Sequence, residues 1–200
     1  MKVSEAIQSR RAVKSFDANQ KMTESQFQEL MGLVALSPTS FNIQNWRFVR
    51  VTDAAKREAI KAAAWNQSQI TDASELLILC ADLKAWEKEP ARYSSGAPED
   101  VQIMLAGMTI DFYKGREWIQ RDEAMRSVGI AAQTLMLAAQ DMGYDSCPMI
   151  GFDQDAVAKI INLPSDHVIG MIVTVGKKAE DARPRAGKLS LGNVIITNGF

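Results

Sequence analysis

The sequence predicts an α+β fold, with one β-sheet packed by long helices. Three observations lead there. Apolar runs with strand character are dispersed along the chain and separated by segments too long for hairpin turns. Strict alternation of strand and helix is absent, which argues against a doubly wound parallel sheet. Two long helical patterns adjoin each other, about Pro98–Gln120 and Arg121–Asp141, and the second is apolar on nearly every face, as a core helix is.

The elements follow in order. Lys2 to Ser9 reads as a short helix. Thr23 can cap a helix running through Leu36, because Phe27, Leu30, Met31 and Val34 fall on one stripe. Ser37 to Asn45, "SPTSFNIQN", is rich in turn formers, and "WRFVRV" after it alternates as a strand does. Asp53 can start a helix to about Ala64. "ELLILCA", Glu75 to Ala81, has the continuous apolar character of a central strand. Lys88 to Asp100 reads as loop. Gly143 is placed to cap the long apolar helix. "YDSCPMIGFD" begins as a strand that Pro148 and Gly151 are expected to break, and "DQDAVAKIINL" reads as a short helix ended by Pro164. His167 to Gly176 is a clear strand. The tail, residues 177–200, is polar and basic, then ends in Val194–Thr197, which has strand propensity and no following neighbour. An extended apolar tail of this kind points to a second copy that covers it. The whole chain, 1–200, is expected to be one domain.

Composition excludes several classes of function. The formal net charge is -1, so no general attraction to nucleic acid or membrane is expected. The most apolar segment, Val128 to Ala139, is too short to span a bilayer and contains Gln133 and Thr134. The first residues lack a signal-peptide pattern, and the cytoplasm is the expected compartment. Cys80 and Cys147 have neither zinc nor redox spacing and read as buried thiols. His167 is the only histidine, which argues against a Ser-His-Asp triad and multi-histidine metal sites; no metal is expected. Neither GxGxxG nor GxxxxGK[ST] occurs.

What remains is a set of cations and amides where elements end. In "QSRRAVKSFD", Arg10, Arg11 and Lys14 cluster just after the first helix. One reading is complementation of the helix dipole, worth ~0.3–1 kcal/mol. The other is an anion cradle for a phosphate or an electron-rich ring. Near the other end, "DARPRAGK" places Arg183 and Arg185 two apart around Pro184, so an extended segment would point both the same way. That pair is either a solvated tail or the second half of a clamp. "SPTSFNIQNW" offers hydroxyls and amides for a turn network or a polar heterocycle, and "CPMIGF" offers bare backbone that a flat ligand could approach.

Taken in order, "SRRAVKSFD", "SPTSFNIQNWRF", "WNQSQITDAS", "GIAAQTLMLAAQDMGYDSCPMIGFD" and "RPRAGKLSLGNVI" resemble the nitroreductase family of FMN-dependent oxidoreductases. Each motif is loose, but five in this order and spacing are specific, and they cover nearly the whole chain. The resemblance implies a central mixed sheet surrounded by helices, and a homodimer with FMN at the subunit interface. It also implies a C-terminal strand exchanged with the partner. It assigns Arg10 to the FMN phosphate and Lys14 to the N1/O2 edge of the flavin, where negative charge develops on reduction. Arg11 would make a backbone or second phosphate contact, and Ala12, standing where many relatives have serine, would help only through its backbone.

Ser37, Pro38, Thr39, Ser40 and Asn42 match a flavin loop that serves the site across the interface. Asn66 and Gln69, read as one helical turn, match positions at the pyrimidine edge. Pro148, Met149, Ile150 and Gly151 match a segment against one ring face, and Arg183 and Arg185 match the late basic pair at the phosphate. The sequence departs from the family pattern in three places. Ile150 replaces a glutamate of some relatives, Asn45 a proline, and Gln69 a lysine. The implied activity is ping-pong hydride transfer from NADH or NADPH, through FMN, to a quinone, a nitroaromatic or another small flat aromatic acceptor. A non-catalytic FMN-sensing module, dehalogenation or ring oxidation on the same fold, and a non-flavin anion-binding protein are the alternatives.

Overall fold

The computed structural model describes residues 1–200. Eight α-helices and four strands follow in the order α1 (Val3–Ser9), α2 (Glu24–Val34), β1 (Trp46–Arg50), α3 (Ala54–Ala63), α4 (Gln69–Asp72), β2 (Glu75–Asp82), α5 (Glu99–Tyr113), α6 (Glu117–Asp141), β3 (Asp145–Met149), α7 (Gln154–Ile160), β4 (His167–Gly176) and α8 (Leu191–Val194). Local chemistry starts three of the helices. Thr23 accepts from Gln26 N in a full capping box, Asp53 accepts from Lys56 N at 2.7 Å, and Asp153 accepts from Ala156 N at 3.0 Å.

The strand order is β1-β2-β4-β3. All eight residues of β2 are buried, as a central strand covered on both faces requires. Its side chains alternate between two cores. Leu77, Leu79 and Ala81 face α2 and α6, where Leu30, Val34, Val128 and Leu135 pack. Leu76, Ile78 and Cys80 face the other way, onto Val13, Ile60, Ile70 and Val157. That second core sets the site, because it anchors the chain after α1, the turn between α3 and α4, and the end of β3 in one layer.

Several expectations are corrected. The sheet is antiparallel at every strand pair, not mixed. Parallel pairing is limited to an isolated bridge between Ala12 and Ser146, made by Val13 N donating to Ser146 O at 3.0 Å. Pro148, which has no N–H, cannot extend it. Pro148 does not end β3; it lies within it, paired with Val173, which is tolerated because β3 is an edge strand. The boundary between the long helices falls at Lys114–Arg116, not at Gln120. Gly115 there takes φ 69, a left-handed conformation that stops α5. Residues 90–94 within the expected loop form a short 3₁₀ turn. Val194 closes the single helical turn α8, with Ile195 N donating to Leu191 O at 2.9 Å, and residues 194–197 add no strand to their own chain's sheet.

Candidate flavin-binding cavity

The chain leaves α1 at Arg10, and the late basic segment returns to the same place. Arg185 Nη2 donates to the carbonyl oxygens of Gln8 and Arg10 at 2.8 Å each, and to that of Ile7 at 3.4 Å. The helix dipole at the end of α1 is therefore met by Arg185, from 175 residues later, not by Arg10 or Arg11. Arg11 Nη2 donates to Arg183 O, so the two segments hold each other through guanidinium-to-carbonyl bonds in both directions.

Between them opens a cavity of about 720 Å³. Its walls carry six cations: Arg10, Arg11, Lys14, Arg183, Arg185 and Lys188. None of the six is in a salt bridge with a carboxylate. Arg10 is partly buried, and burial, followed by repulsion from Arg185 and Arg11, pulls its pKa down. Uncompensated like charges at this density are costly until an anion arrives. Ala12 and the amides of Gln67 and Gln69 complete the inner wall, and Pro184, Ala186 and Gly187 the tail side. Below it, Cys147 is fully buried. Burial raises its pKa, against the opposing pull of Lys14 and Gln69, which lean on the sulfur.

The amides belong to a short network. Gln69 Nε2 donates to Gln67 Oε1 at 2.9 Å, and Gln67 Nε2 donates to Gly151 O at 3.0 Å. Asp153 N donates to Ala63 O at 2.8 Å, which locks the same two segments together. Trp65 closes the corner. A Cβ on Gly151 would lie 2.5 Å from the Trp65 ring, so a larger residue there would displace this exposed indole from its place. The backbone N–H groups of Ile150 and Gly151 donate to no backbone acceptor and remain open to one.

Of the residues singled out in the sequence, the structure brings Arg10, Arg11, Ala12, Lys14, Gln69, Arg183 and Arg185 to one cavity. Gly151 joins through Gln67. Pro148 and Met149 lie in β3 and Ile150 follows it; none of the three lines the cavity of this chain, Met149 being buried and Ile150 74% exposed. Asn66 is not on a helical turn with Gln69. Trp65 and Asn66 both have positive φ, 54 and 58, and this left-handed turn carries Asn66 outward and Gln67 inward.

Ser37, Pro38, Thr39, Ser40 and Asn42 do not line the cavity of their own chain. They pack beside α5 and α6. Ser40 N donates to Glu123 at 3.3 Å, Thr39 Oγ1 accepts from Gln44 N at 2.9 Å, and Asn42 Nδ2 donates to Tyr93 O at 2.9 Å. Sequence reasoning missed Gln67, Lys188 and Trp65. The spacing of Gln67 and Gln69 in "NQSQ" was the one available signal.

The cavity suits FMN in its donor set: cations for a phosphate, amides for a polar heterocyclic edge, and free backbone N–H groups beside a flat face. Comparison with known proteins agrees on the family. A family model described as "Nitroreductase family" matches residues 7–177. Protein DrgA of Synechocystis sp. is 46% identical over 200 residues, covering 98% of this chain and 95% of that protein. A Staphylococcus epidermidis protein described as a "putative NAD(P)H:FMN oxidoreductase" superposes with TM-score 0.90 at 30% identity, covering 98% of this chain and 95% of that one. An Exiguobacterium sibiricum protein, a "putative nitroreductase" solved in complex with FMN, shares the fold with TM-score 0.89 at 22% identity, covering 98% and 97%. A family model that spans residues 7–177, together with 46% identity to DrgA over nearly the full length of both chains, makes the chain a member of the nitroreductase family.

Proposed function

We propose that the protein is an FMN-dependent oxidoreductase that takes electrons from NADH or NADPH and delivers them to quinones or nitroaromatic compounds. The single observation that carries this reading is the cluster of six carboxylate-free cations on one cavity, built from both ends of the chain. Bound FMN would supply the two-electron redox chemistry that protein side chains lack. Arg10, with Arg183 and Lys188, holds the phosphate. Lys14, which with Gln69 lies near Cys147, presents a fixed positive charge to the ring edge and favours the reduced state. Gln69 meets the pyrimidine edge, and the free N–H groups of Ile150 and Gly151 meet polar atoms of the ring. No dinucleotide-binding motif is present, so donor and acceptor use one open face in turn, in ping-pong order. Ile150 makes that face apolar, which suits flat aromatic acceptors.

The active form is a homodimer in the cytoplasm. Met104, Met108 and Phe112, four apart on α5, are exposed, as are Leu191, Ile195 and Ile196 of the tail, and a second copy would cover both. The partner's Ser37–Asn42 loop would then reach the cavity that this chain's own loop does not line. Two reduced thiols suit a reducing compartment, and no helix is long and apolar enough to cross a membrane.

The test is an absorbance spectrum of the purified protein, followed by nicotinamide oxidation with menadione and a nitroaromatic as acceptors. The reading expects a flavin spectrum and acceptor-dependent turnover. A flavin spectrum without turnover would leave only a flavin-binding module, and a colourless protein with no affinity for FMN would reject the reading.

A further inference from the structure

Gln67 was assigned no role by its position in the sequence, yet it fixes what the inner wall of the cavity offers a ligand. A side-chain amide can face either way, with its oxygen or its nitrogen towards a given neighbour. A backbone carbonyl has no such freedom; it only accepts. Gly151 O therefore requires the nitrogen of Gln67, which lies 3.0 Å away. That places Gln67 Oε1 on the opposite side, where it can only accept, and Gln69 Nε2 answers it at 2.9 Å. The carbonyl at the head of this chain is itself held. Phe152 N donates to Ile150 O at 3.2 Å, Asp153 N donates to Ala63 O at 2.8 Å, and the Trp65 ring presses on Gly151. Gln69 is only 3% exposed, lines the cavity, and its oxygen has no hydrogen-bond donor within the chain.

We propose that Gln67 is a positioning residue that holds the Gln69 amide so that its oxygen, not its nitrogen, faces the cavity, making the site selective for a ligand edge that presents an N–H. The inference rests on the FMN reading, and it names the feature of FMN that this wall selects. The pyrimidine edge of a flavin carries one N–H, at N3, between two carbonyl oxygens. An acceptor between donors is its complement, and the cations and free N–H groups around Gln69 supply the donors. Gln69 Oε1 is open to water on the cavity side, and a ligand that covers it without offering an N–H leaves it unmet, which is costly.

The test compares binding of FMN and N3-methyl-FMN by quenching of flavin fluorescence, which needs no turnover. Wild-type protein is expected to bind FMN at least tenfold more tightly. In Gln67→Leu the Gln69 amide is free to turn, and the preference is expected to fall at least threefold. Gln67→Glu keeps an oxygen for Gln69 Nε2 and is expected to retain most of the preference, so it serves as the second variant where leucine disturbs folding. Equal affinity of the wild type for the two flavins would overturn the inference while leaving the FMN reading intact. An undiminished preference in Gln67→Leu would likewise overturn it, as the methyl group would then be excluded by size alone. Binding of neither flavin would overturn both.

Discussion

Arg185 donates to the carbonyl oxygen of Arg10 at 2.8 Å, so the last basic cluster of the chain is fastened to the end of its first helix. The sequence offers helix capping or anion binding for the first cluster and a solvated tail or an anion clamp for the second, and the structure divides the work differently. Arg185 caps α1 and Arg11 grips the tail backbone, while Arg10, Lys14, Arg183 and Lys188 keep side chains free for a ligand.

Arg185→Ala therefore acts first on the end of α1. Loss of three carbonyl contacts uncaps that helix and releases the tail from it, and the hydrogen-bonded amides of its last turn, Arg10 N to Ala6 O among them, are expected to exchange with deuterium at least tenfold faster, as a loss of about 1.5–3 kcal/mol implies for a charge-assisted bond. Hydrogen-exchange mass spectrometry of the flavin-free protein checks it. Unchanged exchange there would mean that Arg185 does not cap α1.

Lys14→Met removes the fixed charge nearest the inner wall without removing its bulk. The bound flavin is expected to become harder to reduce, and its midpoint potential to fall, with absorbance spectra in a potentiometric titration as the readout. A potential that does not move would take Lys14 away from the ring.

How much of this was legible in the sequence differs by residue. Thr23 and Asp53 could be read as caps because a cap depends on a few consecutive residues. The run from Glu75 could be read as a central strand because burial on both faces leaves a continuous apolar stretch. Arg10, Lys14 and Arg185 were recognisable as anion-binding types, but that they meet is a fact of tertiary structure. The boundary at Gly115 was lost because the helical pattern continues across it, and Val194 because β-branched residues favour strands when nothing else decides. Asn66 and Gln69 are singled out by the family resemblance and read as one helical turn, but two successive left-handed residues, Trp65 and Asn66, replace that turn and set Gln67 beside Gln69 on the cavity wall.

Arg57 was silent in the sequence and carries structural weight. Its guanidinium is buried and donates to Val51 O at 2.8 Å, Ala73 O at 2.7 Å and Ser74 O at 2.8 Å, joining β1's exit to the entry of β2. Burial lowers its pKa, since no carboxylate touches it directly. Arg57→Ala would strand three buried carbonyls and is expected to cost about 3 kcal/mol or more in urea unfolding. A loss below about 1 kcal/mol would show that water replaces the guanidinium there.

Acid stability has a local contributor at the far end of β4. Lys88, 2.7 Å away, and then His167, at 2.6 Å, hold the Asp166 carboxyl down at about 2. A carboxylate lowered on folding stabilises the native state above its unfolded pKa, near 4, and loses that contribution as pH falls through its folded value. Between about pH 4 and pH 2, Asp166→Asn is therefore expected to flatten the decline in stability seen with wild type. Parallel acid-unfolding curves for the two proteins would exclude the contribution.

The central claim is that cations from both ends of the chain close on a phosphate. Fluorescence titration of flavin-free protein with FMN and with riboflavin, which differ only in that phosphate, tests it most directly. FMN is expected to bind at least about 100-fold more tightly, which two of the three charge-assisted contacts would already supply, and Arg10→Ala is expected to erase about tenfold of that ratio. Equal affinity for the two, or a ratio unchanged in Arg10→Ala, would contradict the claim.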